Sequence, residues 1–275
     1  MKILVTGYKG FIGQNICQYL MSKGHNVEGW EFMENAVPDP SSYDWVIHLG
    51  AITDTTSDDV EQVMAQNFEN SMRLLQTCDT MGTNIQYASS ASVYGPTTHF
   101  TEDGKLLPQS PYAWSKYLFD RFVKQHIDDF NIIVQGFRYF NVYGPLEEHK
   151  GYQASPVTKF TKQAKSNKII EVFENSENYK RDFVCVNDVC RVHEKMFNVN
   201  KTGIWNVGTG KAESFETVAR TIADKHGAEI KYIPIPDNLK GQYQKYTCAN
   251  LTKLNSVIDH KWISIKDYIN DSSNG

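Results

Sequence analysis

The run Lys2-Ile3-Leu4-Val5-Thr6 followed by Gly7-Tyr8-Lys9-Gly10-Phe11-Ile12-Gly13 constrains the fold of this chain more than any other stretch. A short β-rich segment enters a glycine turn, and from Gln14 to Lys23 the apolar residues Ile16, Tyr19 and Leu20 recur at helical spacing. Strand, tight turn and helix open a βαβ unit, in which the glycines let backbone N–H groups and the helix dipole approach a pyrophosphate. Three glycines at this spacing are a weak signal alone; their place between a strand and a helix makes them a dinucleotide site. Gly7, Gly10, Phe11, Ile12 and Gly13 are the candidate contacts.

Further apolar runs end in small or polar residues at Asn26 to Glu31, Trp45 to Leu49, Asn84 to Ala88 and Ile132 to Phe137, with helix-like segments at Val60 to Thr80 and Trp114 to Phe130. This alternation predicts an α/β fold, a doubly wound parallel (Rossmann) sheet. Only thirteen residues lie between Glu31 and Trp45, too few for a further strand with its crossover helix, so the sheet is expected to be trimmed on the adenine side. After Pro145 the texture changes to a long polar segment, Leu146 to Lys168, then the run Ile169 to Phe173 and a proline-punctuated tail. The expected division is a dinucleotide-binding domain over 1–145, with 182–207 returning to it. A smaller substrate domain takes 146–181 and 208–275.

Glu31 lies 24 residues after Gly7, at the end of the second predicted strand and beside Phe32, where an acidic side chain accepts hydrogen bonds from an adenosine ribose. It would repel a 2′-phosphate, and no Lys or Arg occurs from Phe32 to Asp44, so NAD is expected. NADP stays open through Lys9. The competing explanation of Glu31 is a solvated charge at a strand end.

Composition excludes several classes. With 275 residues, 40% hydrophobic and 22% charged, the chain can bury a sizeable core, and no apolar stretch approaches the length of a membrane span. A cytoplasmic enzyme is expected. Its five cysteines form no CxxC pair and its histidines no HExxH, which gives no support for a metal site and reads as free thiols. A net charge of −4 and six arginines disfavour a nucleic-acid surface.

Tyr112-Ala113-Trp114-Ser115-Lys116 places a tyrosine four residues before a lysine, a spacing that chance supplies and that recurs at Tyr19 and Lys23. Spacing alone does not separate the two pairs. Tyr87-Ala88-Ser89-Ser90-Ala91-Ser92-Val93-Tyr94-Gly95 directly follows a predicted strand, which puts Ser90 at the carboxyl edge where α/β sheets bind ligands. A tyrosine with an unperturbed pKa of about 10 acts as a base near neutrality only if nearby positive charge lowers it, and Lys116 and an oxidised nicotinamide would do so. Ser90 would hold the reacting hydroxyl, with the reacting atoms about 3 to 3.5 Å apart.

At these residues the chain resembles the extended short-chain dehydrogenase/reductases, and Tyr112 and Lys116 match that family's catalytic helix. A closer resemblance, over most of the chain, is to the ADP-L-glycero-D-manno-heptose 6-epimerases. It rests on Gly136-Phe137-Arg138-Tyr139-Phe140-Asn141-Val142-Tyr143-Gly144-Pro145, on His149-Lys150-Gly151, on Phe173 to Val184, on Gly208 to Phe215 and on Pro236 to Tyr243. The resemblance implies that NAD(P) transiently oxidises C6 of an ADP-heptose and returns the hydride on the opposite face. It assigns the second base to Lys150, which also lies at the cofactor. It further implies that Leu49, Gly50, Ala51, Ile52, Thr53, Asn67 and Val142 line the cofactor, and that Asn141, Phe173, Glu174, Ser176, Arg181 and Tyr243 contact the ADP-sugar. The partner is thus ADP-heptose or a related nucleotide sugar, and a homo-oligomer is expected.

Three departures from that family stand out. Tyr152 replaces a small serine, Lys159 replaces a histidine, and the segment from Glu31 to Trp45 has lost much of the cofactor-side insertion. Related 4,6-dehydratases carry an Asp-Glu pair where this chain has Ala91 and Ser92, so elimination lacks its acid. A nucleotide-sugar 4-epimerase, which needs one tyrosine base, remains the alternative. A non-catalytic dinucleotide sensor is disfavoured by the retention of Ser90, Tyr112 and Lys116 together.

Overall fold

The computed structural model describes residues 1–32, 38–54, 57–236 and 244–271. Its largest layer is a six-stranded parallel sheet made of β1 (Lys2–Thr6), β2 (Asn26–Trp30), β3 (Trp45–His48), β4 (Asn84–Ser90), β5 (Val134–Tyr139) and β9 (Gly203–Val207). The strand order is β2-β1-β3-β4-β5-β9. Among the described residues β2 is the edge, which agrees with the expected trimming.

Except for the edge strand β2, which has no buried residue, the strands are buried on both faces, as a parallel sheet requires. Leu4, Val46, Ile85 and Tyr87 point to one side, where they meet Leu74, Leu75 and Cys78 of helix α3 (Asn70–Met81) and Phe119 and Val123 of α4 (Pro111–Gln125). Ile3, Val5, Trp45 and Ile47 point to the other, against Ile16 and Leu20 of α1 (Phe11–Ser22) and Cys190 of α6 (Val186–Met196). Each such aliphatic side chain contributes roughly 1.5–3 kcal/mol on burial. The doubly wound, Rossmann-like fold follows from this alternation.

Helix α2 (Val60–Met64) runs into α3 through one π-helical turn, Ala65–Glu69. Helix α4 starts where Ser110 accepts a hydrogen bond from the Ala113 N–H at 3.2 Å and Pro111 occupies the first turn.

The smaller half is built on a three-stranded sheet of β6 (Asn141–Tyr143), β8 (Lys180–Cys185) and β10 (Ala212–Ser214), and on a parallel pair, β7 (Ile169–Phe173) with β11 (Glu229–Ile233). Helices α5 (Pro156–Asn167), α7 (Phe215–His226) and α9 (Ile265–Asn270) share with these strands a core that includes Val157, Ala164, Ile170, Phe183, Val218, Ile222 and Ile269. A short helix, α8 (Thr252–Asn255), packs against β9. Strand β9 joins the large sheet and α6 packs on α1, whereas residues 182–185 lie in the three-stranded sheet because β8 pairs with β6 and β10. The stretch from Leu146 to Lys168 is not simply polar loop. Ser155 caps α5, Pro156 begins it, and Val157, Phe160 and Ala164 give it one apolar face.

Candidate active site

The glycine loop is shaped by backbone crowding. Gly7 adopts φ +73°, and a Cβ there would lie 2.5 Å from the Gly50 nitrogen; a Cβ on Gly13 would lie 2.1 Å from the Gly7 carbonyl. Both positions therefore exclude any side chain. Gly10 is exposed and meets only the Gly7 carbonyl, at 3.3 Å. It caps α1 without a side-chain hydrogen bond, and the first turn holds no acidic residue. The amides of Phe11, Ile12 and Gly13 thus open α1 without a capping side chain, an arrangement that fits the pyrophosphate of a dinucleotide. Glu31 accepts the Lys9 backbone N–H at 2.8 Å, which sets a carboxylate beside the loop where the ribose of NAD would lie. Phe32, next to it, is exposed and edge-on to Trp30.

A continuous set of buried hydrogen bonds ties this loop to the Tyr-Lys helix. The Gly50 N–H donates to Thr6 Oγ1 at 3.4 Å, and Thr6 Oγ1 lies 2.7 Å from His48 Nδ1. On the far side of the ring, His48 Nε2 lies 2.8 Å from Ser71 Oγ, which itself donates to the Asn67 carbonyl at 2.7 Å. Because Ser71 spends its proton on Asn67, the network assigns the ring hydrogen to Nε2. Burial, with Lys116 nearby, pushes the His48 pKa down to about 3, so the ring is neutral.

Asn67 sits on the π-helical turn, a distortion that recurs at functional sites. Its amide oxygen accepts from the Ile52 N–H at 2.8 Å, and its nitrogen donates to the Ile52 carbonyl at 2.9 Å and to Ser115 Oγ at 3.2 Å. Ser115 donates in turn to the Tyr112 carbonyl at 2.7 Å. Ile12, Leu49 and Val142 meet on one apolar cluster, whereas Ala51 and Thr53 enter the site only as part of the chain segment after β3.

Tyr112 is half-buried and hydrogen-bonded with Ser90; its pKa is raised, because burial outweighs the lowering by the Ser90 hydroxyl, so Lys116 alone does not bring it down as the sequence reading expects. One turn along α4, Lys116 is 5% exposed. Burial lowers its pKa to about 8, opposed by the charge of Asp120 one further turn on. Asp120 accepts from Tyr87 at 3.0 Å, from Ser89 at 2.8 Å and from Arg138 Nε at 2.7 Å, so the base of the helix is locked to β4 and β5. The sequence reading missed Asp120, although its position four residues after Lys116 on a helix was a usable signal. Tyr19 and Lys23, the other pair at this spacing, take structural roles: Tyr19 donates to Glu194 at 2.5 Å and Lys23 lies over the Tyr19 ring.

Lys150 occupies a short 3-10 turn, Glu148–Gln153, with Nζ 5.7 Å from the centroid of the Phe11 ring at the start of α1. The turn is pinned behind by Glu147, which accepts from the Ser155 N–H and hydroxyl, both at 2.7 Å, and from the Thr158 hydroxyl at 2.6 Å. In front, the Tyr152 hydroxyl donates to Asp54 Oδ2 at 2.9 Å, a contact 98 residues apart in sequence that the sequence reading missed. Lys159 is exposed, and what desolvation it meets lowers its pKa against the opposing charge of Glu147.

The expected sugar contacts divide. Asn141 begins β6, and Phe173 and Glu174 end β7 at a rim where the Glu174 N–H donates to the Ile233 carbonyl. Arg181 is buried, with its guanidinium 5.4 Å from the Phe215 ring centroid. Asp182 does not serve it, since that carboxylate accepts from the N–H groups of Thr209, Gly210 and Ala249. Ser176 is buried and its hydroxyl donates to Glu216 at 2.8 Å, which directs it into the smaller half. Tyr243 lies outside the described residues. Among the described residues no group of three or more His, Cys, Asp or Glu side chains is placed to hold a metal ion, and no helix is long and apolar enough to cross a membrane.

The fold is shared with known structures. The ADP-L-glycero-D-manno-heptose-6-epimerase of Helicobacter pylori is 27% identical, with a TM-score of 0.86 over 98% of this chain and 93% of that one. The Thermus thermophilus UDP-glucose 4-epimerase, solved in complex with NAD, is 25% identical with a TM-score of 0.77, over 93% and 92%. TunA, an NAD-dependent NDP-hexosamine 5,6-dehydratase involved in tunicamycin biosynthesis, shares the fold at 24% identity and a TM-score of 0.80, over 98% and 95%. A model of the NAD dependent epimerase/dehydratase family matches residues 3–208, and the family's cofactor is the one expected from Glu31. The chain therefore belongs to the NAD dependent epimerase/dehydratase family.

Proposed function

We propose that this enzyme interconverts ADP-D-glycero- and ADP-L-glycero-D-manno-heptose at C6. The observation that supports the reading is that a second amine, Lys150, has its Nζ 5.7 Å from the Phe11 ring at the start of α1, in addition to Tyr112, hydrogen-bonded with Ser90, and Lys116 one turn along α4. A bound nicotinamide supplies the hydride acceptor and the returning hydride, so no net redox change occurs. Ser90 holds the C6 hydroxyl, and Tyr112 takes its proton as the carbon becomes a ketone. Lys116 supports the tyrosinate by its charge, and Asp120 favours the charged form of that lysine. Lys150 delivers a proton to the carbonyl oxygen once the ketone presents its opposite face, an assignment suited to an amine.

Arg181 serves the diphosphate through its planar fork, and Asn141, Phe173, Glu174 and Tyr243 are the further sugar-nucleotide contacts of this proposal. The smaller half is the substrate domain of this proposal, and a homo-oligomer belongs to it as well. The similarity to the H. pylori heptose epimerase supports the substrate, and the absence of an Asp-Glu pair at Ala91 and Ser92 speaks against elimination. The test is to incubate purified protein with ADP-D-glycero-D-manno-heptose and follow the C6 configuration by NMR. A mixture of the two epimers is expected. No conversion, alongside turnover of a UDP-hexose at C4, would replace this reading with a 4-epimerase.

A further inference from the structure

The crevice suited to the dinucleotide lies at the carboxyl ends of β1 and β3. These strands are neighbours in the sheet, and α1, after β1, packs on one face while α3, after β3, packs on the other, so a crevice opens where the two chains diverge. The loops that form its walls touch at their base, where a Cβ on Gly7 would lie 2.5 Å from the Gly50 nitrogen. Further out, one segment of the smaller half reaches both walls. Lys150 Nζ lies 5.7 Å from the ring centroid of Phe11, on the β1 side, and the Tyr152 hydroxyl donates to Asp54 Oδ2 at 2.9 Å, on the β3 side.

The segment is fixed at its neck and lies on the surface along its length. Glu147 is 1% exposed and accepts from the Ser155 N–H and from the hydroxyls of Ser155 and Thr158, while the Asn15 amide donates to the Pro145 carbonyl at 2.9 Å. Between Glu147 and Ala154 no residue is buried, the helical geometry breaks at Gly151 (φ +54°), and Tyr152 is 71% exposed. A stretch with buried ends and no buried middle opens at little cost, so a single bond at its tip weighs heavily on how often it does.

We propose that residues 148–153 are a flap over the dinucleotide crevice and that the Tyr152–Asp54 hydrogen bond is its latch, so that the flap sets the rate at which NAD(H) enters and leaves. The inference rests on the cofactor site and not on the sugar assigned above. A latch that joins two walls of protein, rather than protein and cofactor, favours the closed form whether or not the cofactor is bound. Its loss therefore quickens entry and release alike and leaves affinity in place, whereas loss of a direct contact with the cofactor quickens release alone.

Release of NADH from the loaded protein, chased with excess NAD and followed by nicotinamide fluorescence, tests this together with a fluorescence titration for Kd. In Tyr152→Phe, release should quicken about fivefold, the factor that one net hydrogen bond supplies, with Kd within about twofold of the parent. Asp54→Ala should give the same result, and the double variant should release no faster than either alone. The proposal is overturned if release is unchanged in either variant, if Kd weakens as much as release quickens, or if the two substitutions add.

Discussion

Tyr112 and Lys150, the two groups proposed to move protons at one carbon, are held in opposite ways. Tyr112 stands on a fifteen-residue helix whose next two turns carry Lys116 and the buried Asp120, and Asp120 is fixed by Arg138, Tyr87 and Ser89 from two strands of the large sheet. Lys150 stands on the segment Glu148–Gln153, whose 3-10 geometry is broken at Gly151 (φ +54°), and the segment reaches the large sheet's loops through the exposed Tyr152 and its bond to Asp54. One candidate group is preset by the core, and the other is carried on a short segment outside it. On the proposed reading the smaller half adds a second base to the one held by the large sheet.

The largest expected effect falls on the preset side. Tyr112→Phe should lower kcat by about 10²- to 10⁴-fold while calorimetry shows NAD binding unchanged. Asp120→Ala should strand the Arg138 charge and cost about 3–5 kcal/mol in urea unfolding, whereas Lys150→Ala should leave the unfolding midpoint in place. Equal destabilisation by the two variants would erase the contrast between core and turn.

The pH response sharpens the same contrast. Lys116 has a pKa of about 8 in the folded protein, below the about 10.4 of a free lysine. The unfolded chain therefore binds more protons above about 8, so this residue's burial cost fades and stability rises as pH climbs from there toward about 10.4. Activity moves the other way, because Tyr112 loses its supporting charge. A kcat profile with an alkaline limb near 8, opposed by rising stability in urea over the same window, is the expected pair of results. The smallest effect belongs to Tyr152→Phe, which removes one exposed hydrogen bond worth roughly 0.5–1.5 kcal/mol. It should reduce kcat by less than about tenfold and lower Tm by no more than about 2–4 °C.

What the residues reveal without the structure follows the physics of each element. The parallel strands are legible because both their faces are buried, and runs such as Ile3 to Val5 and Trp45 to Ile47 are apolar throughout. Helix α5 is hard to see because Val157, Phe160 and Ala164 make a narrow stripe in a polar segment, although Ser155-Pro156 marks its start. The π-helical turn that carries Asn67 has no compositional signature; it accompanies two bonds from the Asn67 side chain to the backbone of Ile52, a contact fifteen residues away. Ser90 and Tyr112 are paired in advance by the place of Ser90 at a strand's carboxyl edge and by a family resemblance, whereas the Tyr152 bond to Asp54 is invisible because no local pattern encodes a contact so distant in sequence.

The most direct test of two bases on two differently built supports is C6 epimerisation by Tyr112→Phe and Lys150→Ala, each started from either epimer of the ADP-heptose with bound NAD quantified in the same samples. Both variants should keep the dinucleotide and lose interconversion in both directions. Full activity in Lys150→Ala, with Tyr112→Phe inactive, would contradict the account and leave a chemistry that runs on the core-held base alone.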